Sequence, residues 1–163
     1  MTFHDGRVEA SPRKRLAYFP VVPPLPEAPA ATFVAGEDLE FRRQARAAAI
    51  NVFNELAKSA NSAIRAGALL RLGRNLHNVG RFEEALATYV RLSAMDDVSL
   101  GGVPAGLIGR YAHCKLVEEE RRWPDLRAEA LGLQHELRAG RWTLTGPVTP
   151  ALRERRYLAA YRL

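Results

Sequence analysis

Residues 69–92 read LLRLGRNLHNVGRFEEALATYVRL, and this stretch decides the fold. Leu69, Leu72, Leu76 and Val79 recur at three- and four-residue spacing, which places them on one face of a helix. Beyond Gly80, Phe82, Ala85, Leu86, Tyr89 and Leu92 do the same. A glycine between two such runs supplies the left-handed backbone that ends a helix. Two helices joined this tightly run antiparallel as a hairpin. A single hairpin cannot bury both of its faces, so it needs neighbours.

Those neighbours are found by sliding the hairpin along the chain. Ala49, Phe53 and Leu56 reproduce Ala85, Tyr89 and Leu92 at an offset of 36. The small residue admits a neighbouring helix, and the aromatic is expected in the wedge between hairpins. On the other side, Ile108, Tyr111, Ala112 and Lys115 follow Leu69, Leu72, Gly73 and Leu76 at an offset of 39. Arg122-Trp123-Pro124-Asp125 then matches Arg81-Phe82-Glu83-Glu84 at an offset of 41. A loop insertion around Ser99–Gly102 would account for the drift. Pro104 and Pro124 stand where helices should begin. The spacing predicts an all-α protein of about three stacked hairpins, over residues 32–59, 62–95 and 103–139.

The middle hairpin resembles a tetratricopeptide repeat. The likeness rests on Leu69, Leu72-Gly73, Leu76, Gly80, Phe82, Ala85 and Tyr89. Asp97 stands where that family usually has a closing proline, and Leu92 replaces a small residue. The first hairpin lacks a Leu-Gly pair and has Gln44-Ala45-Arg46 in place of a glycine turn. The resemblance implies a short right-handed superhelix whose first helices line a concave groove. More narrowly, residues 33–41 and 65–75, with the proline-rich lead-in and Ala139–Trp142, are similar to the sensor region of some bacterial histidine kinases. That resemblance implies a signal-input domain of a larger receptor.

The flanks differ from residues 32–140. Six of ten prolines lie in residues 1–30, and 20–29 reads PVVPPLPEAP, which proline keeps out of helix. Residues 1–31 are expected as an extended arm that is a linker or packs on its own domain. Residues 141–163 hold five Lys/Arg against one Asp/Glu, whereas residues 36–140 hold 15 against 14. The formal net charge of +6 therefore sits largely in this tail, where 151–162 are expected to form a capping helix. A basic-tail nucleic-acid interface is the distant third reading, because charge confined to a tail is not a folded patch. The longest uncharged stretches fall short of a membrane span and contain proline or glycine. The chain reads as soluble, cytoplasmic if complete and extracytoplasmic if it is a receptor fragment.

No catalytic, metal or cofactor motif is expected. His135-Glu136 lacks the second histidine of a zinc-protease helix, since residue 139 is alanine. There is no phosphate-cradling glycine loop and no nucleophile elbow. The one cysteine, Cys114, falls on an apolar face and reads as a buried hydrophobe. The remaining class is binding: a non-catalytic module that takes a peptide or partner surface in its groove. If Leu69, Leu72, Gly73 and Leu76 face the core, then Leu70, Arg74, His77 and Asn78 project toward the groove, joined by His113 from the third hairpin. An Arg–Asn pair one turn apart could hold a carboxylate.

Overall fold

The computed structural model describes residues 24–142, together with the backbone of two short antiparallel strands, β1 (Thr2–His4) and β2 (Arg7–Glu9). The first part of the proline-rich arm and the expected capping helix lie outside the described residues. The first helix of the stack starts as a 3-10 turn over Ala30–Phe33, continues as α1 (Val34–Glu37) and finishes as a π turn over Asp38–Arg42. It is followed by α2 (Arg46–Leu56), α3 (Ser62–Asn78), α4 (Phe82–Ser93), α5 (Ala105–Glu119) and α6 (Trp123–Arg138). Each helix packs on the next in sequence, which makes an all-α stack of three hairpins. Between α4 and α5, the expected insertion is a small hairpin of β3 (Ser99–Leu100) and β4 (Val103–Pro104). Gly101 and Gly102 form its tip, at φ +62° and +71°, as a tight two-residue turn requires.

The helix ends follow from local chemistry. The Asn61 side chain accepts the N–H groups of Ala63 and Ile64 at 2.9 and 3.2 Å, which caps α3. Pro104 precedes α5, and Pro124 lies in the first turn of α6, where its missing N–H costs nothing. The three hairpin turns share one backbone form. Gln44, Gly80 and Arg121 take φ of 52°, 79° and 56°. The following residues, Ala45, Arg81 and Arg122, have φ/ψ of −87°/61°, −88°/63° and −82°/66°. Gln44 and Arg121 thus hold a conformation that glycine adopts without steric cost.

Hydrogen bonds at these turns correct the register. Arg81 N–H donates to Leu76 O at 2.9 Å, and Arg122 N–H donates to Val117 O at 3.1 Å. This is the six-to-one bond of a Schellman ending. Both pairs are 41 residues apart, so the third hairpin follows the second at a single offset of 41 up to the turn, not 39. Cys114 and Val117, both buried, take the places of Gly73 and Leu76, while Lys115 is exposed. In the first hairpin, Ala45 N–H reaches Leu39 O at 2.8 Å, one residue farther back, because the π turn adds a residue.

The core is aliphatic, built around Leu69, Leu72, Leu76, Leu92, Val98 and Val117, with the rings of Phe33, Phe53 and Tyr89 among them. Phe53 and Tyr89 each lie over a glycine of their own hairpin, not simply in the wedge between hairpins, whereas Phe33 lies over Gly67 of the next hairpin. A Cβ on Gly36 would sit 2.5 Å from Phe53 Cζ, and one on Gly73 would sit 2.8 Å from Tyr89 Cζ.

Candidate functional site

Phe33 from the first helix, Leu70 and Arg71 from α3 and Ile108 from α5 border one cleft of about 310 Å³. Glu27, Ala28 and Ala30 close it on one side, and Leu100 and Gly101 of the β3–β4 hairpin on another. The described end of the proline-rich arm therefore packs on the helical body. Ser99 N–H donates to Pro26 O at 2.9 Å, and Ser99 Oγ donates to Leu25 O at 3.0 Å. The Glu27 carboxylate accepts Gly101 N–H at 2.6 Å and Gly102 N–H at 3.3 Å.

The five residues singled out by spacing have separate fates. Leu70 lines the cleft. Arg74 donates through Nε and Nη2 to the two oxygens of Glu40, each at 2.7 Å, and its guanidinium lies 5.1 Å from the Phe41 ring centre. The Glu40 side chain is 3% exposed, so Arg74 is committed to neutralising a buried carboxylate. His77 Nε2 is 3.0 Å from Glu119 Oε2, which ties α3 to α5. Asn78 is exposed at the end of α3. His113 is turned toward α6 and does not join the others. It occupies the place of the core Leu72 once the offset is 41. Its Nδ1 is buried without a hydrogen-bond partner, 3.8 Å from Glu129. Burial holds this imidazole below its ordinary pKa, against the opposing pull of Glu129.

Pairs of charges between helices form the part that spacing within single helices did not disclose. Arg71 Nε donates to Glu37 at 2.8 Å, and its guanidinium stacks 3.9 Å over Phe33. Together with Arg74–Glu40 this makes two rungs between the first helices of adjacent hairpins, Glu37/Glu40 on the first helix of the stack and Arg71/Arg74 on α3. Matching i, i+3 spacing of opposite charges was the available signal. Arg110 joins Glu129 and Glu136 across α5 and α6 in the same manner. Beyond Gly140, Arg141 Nε and Trp142 Nε1 both donate to Asp96, at 2.9 and 2.6 Å. Ala139–Trp142 thus acts as a latch from the end of α6 to the end of α4.

No family model matches the chain, and neither a curated protein nor a solved structure matches it.

The chemistry of the site is accordingly read from its own groups. Burial pushes the Cys114 thiol up to about 11, so it stays protonated and is a poor nucleophile at neutral pH. Among the described residues, no cluster of three or more His, Cys, Asp or Glu could hold a metal ion, and no helix is long and apolar enough to cross a membrane. The cleft is lined mainly by apolar side chains, and the Gly101 N–H at its edge is held by Glu27.

Proposed function

We propose that the chain is a non-catalytic, tetratricopeptide-like interaction module that binds a peptide or partner surface on the face lined by its first helices. The supporting observation is the convergence of Phe33, Leu70 and Ile108, one from each hairpin, on a single cleft. A stack of hairpins creates a surface that no single hairpin has, and repeat proteins place binding on such composite faces. The ligand is anchored by apolar contact with Leu70 and Ile108. Arg74 is not used here as the carboxylate clamp that spacing suggested, because its Nε–Nη2 edge is held by Glu40.

The test is selection of ligands from a peptide-display library on the wild-type chain, followed by binding to Leu70→Arg and Ile108→Arg. Loss of roughly tenfold or more in affinity, equivalent to about 1.4 kcal/mol, is expected in variants that keep the wild-type melting temperature. Selected peptides that bind both folded variants undiminished would move the interface away from this face.

A further inference from the structure

We infer that the Gly101–Gly102 tip of the β3–β4 hairpin is a carboxylate-recognition site for an extended, proline-containing acidic peptide, and that Leu25–Ala28 of this chain fills it in cis. The inference rests on the peptide-binding reading above and names the chemistry of the ligand.

Its basis is the form of the contact already made. Both glycines have positive φ, and their successive N–H groups converge on one carboxylate, that of Glu27. Successive amides in a turn make an anion-binding concavity of this kind. Flanking the carboxylate, Ser99 N–H binds Pro26 O, and Ser99 Oγ binds Leu25 O. These bonds read the main chain of an extended segment and set its direction, as in strand addition. Ala28 follows as part of the wall of the cleft that Leu70 and Ile108 also line. The ligand segment is stiffened in advance by Pro26 and Pro29, the latter at φ −58°, ψ 135°. A stiff segment loses little entropy on binding.

None of these contacts needs the ligand to be covalently joined to its receptor. A separate segment with a Pro-Glu-Ala core would satisfy the same donors. It must first displace the tethered segment, which competes at the high effective concentration of a short linker. Leu25–Ala28 is therefore a strap that sets the threshold for an outside ligand.

The experiment titrates two synthetic peptides into the ¹⁵N-labelled full chain. One has the sequence of residues 20–30, and the other carries Glu27→Gln. The receptors are wild type and a Glu27→Ala variant whose strap lacks its carboxylate. The acidic peptide is expected to bind Glu27→Ala roughly tenfold tighter than wild type, and to shift the Gly101, Gly102 and Ser99 amides. The Gln peptide is expected to bind that variant about tenfold more weakly than the acidic one. Should Glu27→Ala loosen the fold by circular dichroism, Glu27→Gln keeps the side-chain shape and must give the same ranking. Equal affinity of the two peptides, or silent Gly101 and Gly102 amides, overturns the inference. If such binding is nevertheless lost in Leu70→Arg, the cleft reading survives while the carboxylate site fails. Absence of any amide shift with either peptide overturns the carboxylate site outright, and the display experiment then decides the cleft separately.

Discussion

Replacing Arg74 by alanine would leave the Glu40 carboxylate, 3% exposed at its side chain, without its two guanidinium donors. Stranding one partner of a buried pair costs more than the pair itself contributes, because the remaining charge keeps its desolvation penalty. Arg74 is itself 39% exposed, so water can partly replace it, and the expected loss is about 2–3 kcal/mol. Urea denaturation checks the value. Adding Glu40→Gln to Arg74→Ala should recover part of the loss, and failure to recover any would argue against a buried charge as the cause. His113 makes a second prediction at this scale. Its pKa is lowered in the fold by burial, with Arg110 and Arg122 also disfavouring its charge and Glu129 and Asp125 favouring it. The unfolded chain therefore takes up a proton that the folded chain refuses. The contribution to stability is present above about pH 6.5 and is lost as pH falls below it. His113→Leu, which restores the residue type found at Leu72, should flatten the fall in melting temperature between about pH 7.5 and about pH 5. An unchanged slope would mean that His113 takes up its proton equally in the folded and the unfolded chain.

The repeated turn and the glycine–aromatic contact set what each hairpin tolerates. A methyl on Gly73 would press on the Tyr89 ring, whose Cζ lies 2.8 Å away, so Gly73→Ala should cost about 1–3 kcal/mol and Gly73→Leu more. Wild-type stability in Gly73→Leu would refute the helix register. Arg121 is exposed at φ 56°, in a turn that Gly80 makes at φ 79°. Arg121→Gly relieves a left-handed penalty of about 1–2 kcal/mol and adds unfolded-state entropy worth about 0.5–1 kcal/mol. A net gain of about 0.5 kcal/mol is expected, read as a rise in the urea midpoint with unchanged slope. A lower midpoint would show that the Arg121 side chain stabilises the turn. These same turns explain what could be read in advance. The middle hairpin was legible because its leucine spacing and Gly80 agree. The third hairpin misled only in its first helix, where Ile108, Tyr111 and Ala112 imitate the pattern at an offset of 39, whereas Arg122–Asp125 already marked the turn at an offset of 41. Nothing in residues 38–42 announces a π turn. Leu70 was legible as a cleft residue from its offset to the core face. The engagement of Arg74 was not, because it depends on which face of the first helix of the preceding hairpin Glu40 occupies.

At the scale of the whole molecule, contacts between consecutive helices and ion pairs between the first helices of adjacent hairpins hold the stack, and two longer-range ties among the described residues fasten its ends. One is the strap from Leu25 to Ala28 on the β3–β4 tip. The other is Asp96, which accepts Trp142 Nε1 and Arg141 Nε, while Arg141 also reaches Ser93 O at 2.9 Å and Glu136 at 2.5 Å. Gly106 makes room for this latch, since a Cβ there would lie 3.2 Å from Trp142 Nε1. Arg141 and Trp142 thus bind the end of the third hairpin to the junction between the second and third. With Asp96 changed to alanine, the indole N–H loses its acceptor and the Arg141 charge loses one of its two carboxylates. Trp142 is 8% exposed and should move into water, whereas Trp123 is already 55% exposed. In a Trp123→Phe background, Asp96→Ala should shift the fluorescence emission of Trp142 to the red and raise its quenching by iodide. Helical content should stay close to wild type, because α3, α4 and α5 keep their packing. Unchanged emission in the folded variant would show that apolar packing alone seats Trp142, and that Asp96 does not join the hairpins.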